Sequence, residues 1–276
     1  KTTQTLNKFY HTHLLKLEGR EWLIEIKAQD TFSENNNLAL KQAIGEYCYV
    51  LNDDTFFNTP VIDELIDTFK LVDAVIISPN ILFPNGSYQC CGRPPMRWYH
   101  YILKGFKLWD ENKPTKYINQ GGIFRTYNIL GAAFMIKTAV FKELGWFDER
   151  YFFCPEDIAL STAANKKGYN VFVNSNIKLF HIGGASRWSK ISSATKPSSM
   201  RGSLIFHSNN STFKRIIISF FQLIINLLNY LHCTIKRING NKYEKTKAKV
   251  YRNMILSVFN KKSPKDIFIA NYNKLN

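Results

Sequence analysis

Three side chains that could bind a cation, Asn52, Asp53 and Asp54, follow directly after the apolar run Tyr47–Leu51. The run predicts a buried strand, so the acids lie where that strand leaves the core. Desolvating an unpaired carboxylate costs several kcal/mol, and acids at this point therefore need a partner. A divalent cation carrying a diphosphate is one such partner, because Mg²⁺ binds one or two carboxylates together with phosphate oxygens. An ordinary turn is the other interpretation, since Asn and Asp are common turn residues.

A second acidic pair, Glu156 and Asp157, follows Pro155. Proline favours the first position of a helix, so both carboxylates are expected in the first turn, where the helix dipole stabilises their ionised form. The aromatic residues just before Pro155 would partly desolvate them, which raises a carboxyl pKa. A carboxylate between these two influences can act as a general base. A simple helix-capping acid is the alternative.

His181 is the third candidate, at the end of the apolar segment Ile177–Phe180 and just before Gly183 and Gly184. Neutral imidazole is a common metal ligand, and glycine lets the backbone approach a ligand closely. A buried histidine with an ordinary hydrogen-bond partner is the alternative interpretation.

The elements that must position these residues alternate between strands and helices. Helix starts are predicted near Asn36, at Thr59-Pro60 and at Glu156, and apolar strands at Tyr47–Leu51, Ala74–Ser78, Val171–Val173 and Ile177–Phe180. Uninterrupted apolar runs suit a parallel sheet that is covered on both faces. We therefore predict a doubly wound α/β fold with a mostly parallel sheet and helices on both faces. Ligands bind such sheets at the carboxyl ends of the strands, where the first acids lie.

Charge is distributed unevenly along the 276 residues, which carry a net charge of +16. Residues 1–186 contain 20 Lys and Arg against 19 Asp and Glu, whereas residues 187–276 contain 17 against 2. The difference predicts a nearly neutral domain, 1–186, followed by a basic helical extension, 187–276. A basic surface attracts polyanions, either an anionic membrane or nucleic acid. No recognisable nucleic-acid motif is present in the extension, so no nucleic-acid partner is expected.

Within the extension, residues 216–235 contain no Asp, Glu, Lys or Arg, and Lys-Arg pairs flank them on both sides. The stretch is long enough to span a bilayer. However, Ser219, Gln222, Asn226 and Asn229 would form one polar stripe on a helix, which favours a helix lying on the membrane surface. We predict peripheral attachment to the inner, cytoplasmic face of the cell membrane. A helix docked on the domain and a true span remain as alternatives.

In their order along the chain, these features resemble the family 2 glycosyltransferases, in the bacterial rhamnosyltransferase-like branch with the GT-A fold. The match covers about residues 20–207. It is carried by Glu34-Asn-Asn-Asn-Leu-Ala-Leu, Gly45–Thr55, Gly131–Lys137, Glu143–Leu160, Lys167-Gly-Tyr and His181–Ser186, of which the block Gly145–Leu160 is the most specific.

The resemblance implies an inverting, metal-dependent transfer of a sugar from a dTDP- or UDP-sugar to a cell-surface polysaccharide or a lipid-linked glycan. It assigns a Mg²⁺ or Mn²⁺ ion to Asp54 and His181, and the acceptor's base to Asp157. The remaining implied substrate contacts are Asn36, Asn37, Asn52 and Asp53 near the donor, Glu156 on the acceptor, and Trp146 against a sugar face. Asn52 stands where the family's metal motif has its first Asp.

The chain departs from the family pattern at its start. Family members open with two strands that hold the nucleotide, whereas Lys1-Thr-Thr-Gln resembles the start of the helix that follows them. The resemblance therefore predicts an N-terminal truncation that removes part of the nucleotide pocket. A catalytically inactive remnant or a sugar-nucleotide binding module is the second hypothesis.

Overall fold

The computed structural model describes residues 14–17, 20–23, 31–113, 115–183, 189–238 and 242–275. The predictions for Lys1-Thr-Thr-Gln and for Gly184 to Ser186 lie outside these residues. At the start of the described chain, Leu14–Leu17 (β1) and Arg20–Leu23 (β2) pair as antiparallel strands.

Seven further strands form one sheet, in which β3, β8, β5, β9 and β4 are neighbours in that order, while β6 pairs with β5 and β7 with β9. Their bounds are Tyr47–Leu51 (β3), Thr55–Phe56 (β4), Ile76–Leu82 (β5), Tyr88–Cys90 (β6), Ile123–Thr126 (β7), Ala133–Lys137 (β8) and Val171–His181 (β9). The β5–β6 hairpin turns at Gly86, as Asn85-Gly86 indicates.

The α/β class is confirmed, but the sheet is mixed rather than mostly parallel. Among the described pairings, β5–β9 is parallel and the others are antiparallel. β8 lies between β3 and β5 and runs opposite to both. A strand buried on both faces is continuously apolar in either direction, so the apolar runs could not reveal this. As a result, the carboxyl ends of β3, β5 and β9 share one sheet edge with the amino end of β8.

Helices cover both faces of the sheet, as predicted. Their bounds are Phe32–Leu40 (α1), Ile62–Leu71 (α2), Trp98–Gly105 (α3), Thr138–Glu143 (α4) and Glu156–Lys166 (α5). Phe134 and Ile136 of β8 pack against one set of helices, which includes α4 and α5. Met135, between them, packs on the opposite face against Leu65 of α2.

Two predicted helix starts were wrong. α1 begins at Phe32, because Thr31 and Glu34 form a capping box in which the Glu34 N–H donates to Thr31 Oγ1 at 2.8 Å. Asn36 is therefore inside the helix. α2 begins at Ile62 rather than at Thr59-Pro60.

Two predicted strand ends were also wrong. β5 continues through Pro79, and a register shift against β9 between Pro79 and Asn80 accommodates the missing N–H. The two segments predicted around residues 171–180 form a single strand, β9.

The extension is helical, with α6 at Ser192–Ser208, α7 at Thr212–Ile238, α8 at Lys242–Val258 and α9 at Pro264–Tyr272. The Ser- and Lys-rich composition of residues 189–203 favours a loop, but most of this segment belongs to α6. Pro197 lies inside α6 and cannot bond the Ser193 carbonyl, but the Asn253 side chain of α8 donates to that oxygen at 3.0 Å. Packing thus overrides the low helix propensity of this Ser-rich segment. The extension also docks on the sheet domain, since the Phe268 and Phe152 rings stack 4.2 Å apart.

Candidate functional site

The acids after β3 form a turn at the ligand-binding edge of the sheet. The Asn52 N–H donates to the Ala132 carbonyl at 2.9 Å, which ties the end of β3 to the start of β8. Thr55 Oγ1 donates to the Asn52 carbonyl at 2.6 Å, so the chain reverses through Asp53 and Asp54 into β4. Asp53 is exposed and Asp54 is half-buried. The acids thus lie in a turn, which aims Asp54 at β9 and leaves it free to act as a ligand.

The structure brings Asp54 and His181 together. β4 pairs with the end of β9 so that Thr55 lies opposite His181. His181 Nε2 is 2.9 Å from Asp54 Oδ1, and the Gly183 N–H donates to Asp54 Oδ2 at 3.3 Å. Residues about 130 positions apart in the sequence thus form one polar pair.

Gln89, which the sequence analysis missed, orients the histidine. Its Oε1 atom lies 2.5 Å from His181 Nδ1, which places the Nδ1 proton towards Gln89 and leaves Nε2 facing the carboxylate. Gly183 has a φ of +52°, and a Cβ atom there would lie 2.6 Å from Gln89 Nε2. The glycine is therefore needed both for its backbone conformation and for the space that Gln89 occupies.

The Asp54–His181 pair fits a divalent cation. Two ligands at right angles, each about 2.1 Å from an octahedral ion, lie about 3.0 Å apart, which agrees with the 2.9 Å between Oδ1 and Nε2. With the Nδ1–H group directed at Gln89, the Nε2 lone pair of a neutral imidazole faces Asp54 Oδ1, an arrangement that a shared metal ion would satisfy. Across the described residues, no group of three His, Cys, Asp or Glu side chains has metal-ligand geometry. A bound ion would thus take its other ligands from substrate or water.

Asp157 is fixed at the same edge of the sheet. The side chain lies in the first turn of α5 and is buried. Its Oδ2 accepts from the Gly131 N–H at 2.9 Å, and its Oδ1 accepts from the Ile158 N–H at 2.8 Å. Gly131 and Ala132 lie just before β8, so the same short segment bonds both Asp157 and Asn52. These bonds set the orientation of the carboxylate.

Arg93 is a second residue that the sequence analysis missed. Its Nη1 atom lies 3.6 Å from Asp157 Oδ2, and the guanidinium is largely shielded from water. Its backbone N–H donates to Thr126 Oγ1 at 3.0 Å, which attaches it to the end of β7. Arg93 lies near the start of residues 92–127, which show no helical or strand periodicity in the sequence. No pattern there indicated which basic residue faces the site.

Glu156, the neighbour of Asp157, has a strongly raised pKa. Burial, and then the charge of Asp157, raise the pKa of Glu156 to about 8. Its Oε2 accepts from the Cys154 N–H at 2.6 Å. The raised pKa lets Glu156 hold a proton near neutral pH, whereas both carboxylate oxygens of Asp157 accept N–H hydrogen bonds. Such a division is typical of sites where acids have different roles.

Asn37 and Trp146 lie together elsewhere, in an open cleft of about 640 Å³. Both N–H groups of the Asn37 amide are used, by the Phe147 carbonyl and Glu149 Oε1, and its oxygen accepts from the Phe147 N–H. Asn37 thus holds the loop after Trp146. Its side-chain amide has no free N–H left for the predicted contact with the sugar donor. Asn36 Nδ2 bonds the Phe32 carbonyl within α1.

Trp146 is partly exposed, and its ring packs 5.3 Å from that of Phe141. It follows Gly145, and both residues have left-handed φ angles, +84° and +66°. This reversal after α4 brings the indole to the cleft. The structure therefore leaves the predicted sugar platform available at Trp146.

Comparisons with known proteins found similarities in sequence and in structure that extend over about half of the chain. No protein-family model matches the chain. The chain is 28% identical over 153 residues to the O-antigen biosynthesis protein RfbC of Myxococcus xanthus, which covers 55% of this chain and 12% of that protein. The crystal structure of GalNAc-T7 with UDP, GalNAc and Mn²⁺ aligns with 55% of this chain and 30% of its own, with a TM-score of 0.41 and 14% identity. At that TM-score the structural similarity carries no argument about the site.

Proposed function

We propose that the chain is an inverting, metal-dependent glycosyltransferase of the GT-A type that uses a nucleotide-sugar donor. One observation carries the proposal: the Asp54–His181 pair and the Asp157 carboxyl group both lie at the carboxyl-end edge of the sheet. Glycosyl transfer to an alcohol needs charge stabilisation for a departing diphosphate and a base for the nucleophile. These two features supply both requirements.

Asp54 and His181 would hold the cation, and Gln89 would fix the orientation of the imidazole through its Nδ1 atom. When bound there, Mg²⁺ or Mn²⁺ would supply positive charge to the diphosphate oxygens of the donor. Asn52 and Asp53, at the same turn, are the proposed donor contacts beside it. The chemistry of this donor set, one carboxylate and one imidazole, leaves room for phosphate oxygens as further ligands.

Asp157 is the proposed base. In an inverting displacement, the acceptor oxygen bonds to the anomeric carbon as the bond from that carbon to the diphosphate oxygen breaks. The acceptor's hydroxyl proton passes to Asp157. Glu156, whose raised pKa keeps it protonated near neutral pH, can donate a hydrogen bond to the acceptor.

The acceptor class is inferred from the relative. RfbC is described as an O-antigen biosynthesis protein, which supports a cell-surface polysaccharide or a lipid-linked glycan as the acceptor. A dTDP- or UDP-sugar is the proposed donor. We also propose that the chain works on the inner, cytoplasmic face of the cell membrane, because residues 187–276 carry 17 basic residues against 2 acids.

A sugar-nucleotide binding module without turnover is the second candidate. Arg93 lies 3.6 Å from Asp157 Oδ2, and two N–H donors already occupy the same carboxylate. A base held this way is less able to accept a proton. This observation favours binding without catalysis if Arg93 keeps its place when substrate is bound.

Transfer of radiolabelled sugar from UDP- and dTDP-sugars in the presence of Mn²⁺ tests the proposal. We expect Asp157→Asn to reduce transfer by about 10²- to 10⁴-fold, while calorimetry shows unchanged binding of Mn²⁺ and nucleotide. Asp67→Asn, an exposed acid on α2, is the matched control and should keep full activity. Full activity of Asp157→Asn would contradict the base assignment. Binding without any transfer by the native chain would support the second candidate.

A further inference from the structure

Helix α7 presents its polar and apolar faces in the opposite sense to an ordinary surface helix. Gln222 Nε2 donates to the Tyr101 hydroxyl at 2.9 Å and to the Met200 carbonyl at 3.3 Å. Asn226 Nδ2 lies 3.2 Å from Met200 Sδ, and both amide side chains are at most 4% exposed. The polar stripe expected to face water therefore packs against α3 and α6. The apolar residues of α7 must face outwards.

The outward residues form a continuous surface, which we name the apolar face of α7. Each has at least two-fifths of its surface exposed, and Phe213 reaches 71%. On a helical projection they share an arc of roughly 120°. The residues are Phe213, Ile216, Phe220, Leu227, Leu228, Leu231 and Ile235. Contiguous apolar surface of this size on a soluble domain marks a binding surface.

Basic residues lie at both ends of α7 and on the helix packed beside it. Lys214 and Arg215 lie at the start of α7, and Lys236 lies near its end. α8 packs along α7 and exposes Lys245, Lys249 and Arg252, whose spacing places them on one side of that helix. An occupant of this surface thus has to be apolar where it meets α7, and the nearby cations favour one that is also anionic.

We propose that the apolar face of α7 is the docking surface for an anionic lipid bilayer, with α7 lying parallel to the membrane plane. Acyl chains would cover the apolar face, and anionic headgroups would meet the flanking cations. A second copy of the chain is disfavoured, because a symmetric contact would bring the same basic residues of two extensions together. The inference stands apart from glycosyl transfer, since it uses none of the residues proposed for that reaction.

The contacts of α7 also argue against a span. Thr212–Lys236 is long and apolar enough to cross a bilayer. However, Gln222 and Asn226 are bonded to α3 and α6, and inserting α7 would break those contacts and expose the amides to hydrocarbon. Gly105 of α3 reinforces the docking, because a Cβ atom there would lie 2.5 Å from Ile225 Cδ1. These contacts with α3 and α6 thus fix the orientation of α7 on the protein.

Cosedimentation of the 276-residue chain with vesicles tests the inference, without donor, metal or acceptor. We expect binding to phosphatidylcholine vesicles that contain phosphatidylglycerol, and little binding to phosphatidylcholine alone. Phe220→Ser with Leu231→Ser should weaken binding by at least about tenfold. Leu71→Ser with Leu108→Ser, which alters two equally exposed leucines elsewhere, is the matched control and should bind as the native chain does.

A charge series completes the test. Replacing Lys245, Lys249 and Arg252 with Gln should weaken binding by about 100-fold, from about 1 kcal/mol per cation at an anionic surface. The same charge change at exposed Lys142, Lys166 and Lys178 should have a much smaller effect. Equal binding to neutral vesicles, or no binding at all, would overturn the inference. Resistance to high-salt and carbonate extraction would indicate a span, and self-association abolished by Phe220→Ser with Leu231→Ser would indicate a dimer interface; either result also overturns it.

Discussion

Replacing Glu156 with Gln tests the electrostatic description of the two adjacent acids at the start of α5. Burial, and then the charge of Asp157, raise the pKa of Glu156 from 4.5 to about 8 in the folded chain. Between these values the folded state keeps a proton on Glu156 that the unfolded chain has released. Because the unfolded state then binds fewer protons, the free energy of unfolding falls as the pH rises through this window.

The size of the effect has an upper limit set by the shift itself. One pKa unit corresponds to about 1.4 kcal/mol, so the whole shift would give at most about 5 kcal/mol. Glu156 is partly exposed, and the access of water to its carboxyl group reduces this contribution. From this group we expect the free energy of unfolding of the native chain to fall by about 2 kcal/mol between about pH 5 and pH 8. The Glu156→Gln chain should lack this decrease.

Urea unfolding of both chains, followed by circular dichroism at the two pH values, measures the difference. Glu143→Gln is the control. Hydrogen bonds from Tyr169 and Lys167 lower the pKa of Glu143, so its contribution is lost only as the pH falls through that lowered value. The pH dependence of this control between pH 5 and pH 8 should match that of the native chain. A difference between native and Glu156→Gln chains that is the same at both pH values would refute the description.

Three further changes test the site and its supports. Gln89→Leu removes the acceptor of His181 Nδ1, and calorimetry with UDP present should show Mn²⁺ affinity lower by about 10- to 100-fold. Gln222→Leu leaves a buried hydroxyl and a carbonyl without their donor, so urea unfolding should show a loss of about 1–3 kcal/mol, whereas Gln42→Leu at an exposed position should not. Phe134→Ala opens a cavity in the core beneath the sheet and should lower the free energy of unfolding by about 3–5 kcal/mol.

How much of the site could be predicted depended on whether a residue sits at the end of a regular element. Asp54 and His181 each follow an apolar run, which made both of them candidates, and the family resemblance joined them as ligands of one ion. Gln89 lies on the short strand β6, which pairs with β5. Nothing in the sequence around Gln89 indicates that its side chain points towards His181. Arg93 stands in a segment without a period, so its contact with Asp157 exists only in three dimensions.

The extension shows a different limit. Helical spacing correctly placed Gln222 and Asn226 on one face of α7, but spacing does not say which face meets the protein. The prediction assumed that amides prefer water. In the structure, the Tyr101 hydroxyl and the Met200 carbonyl accept hydrogen bonds from Gln222, and the Gln222 carbonyl accepts one from Asn226, so the N–H groups of both amides keep partners in the interior. The direction of the helix was therefore decided by partners more than 20 residues away in the sequence.

The direction of β8 connects the fold to the proposed chemistry. Because β8 runs opposite to β3 and β5, its amino end, rather than Lys137, lies at the edge where Asn52 leaves β3. Gly131 can then donate its N–H to Asp157 while the Ala132 carbonyl accepts from Asn52, so two neighbouring residues join the acid of α5 to the turn that carries Asp54. A parallel β8 would remove both bonds. The departure from a parallel sheet is thus what holds the proposed base and the proposed metal ligand at one edge.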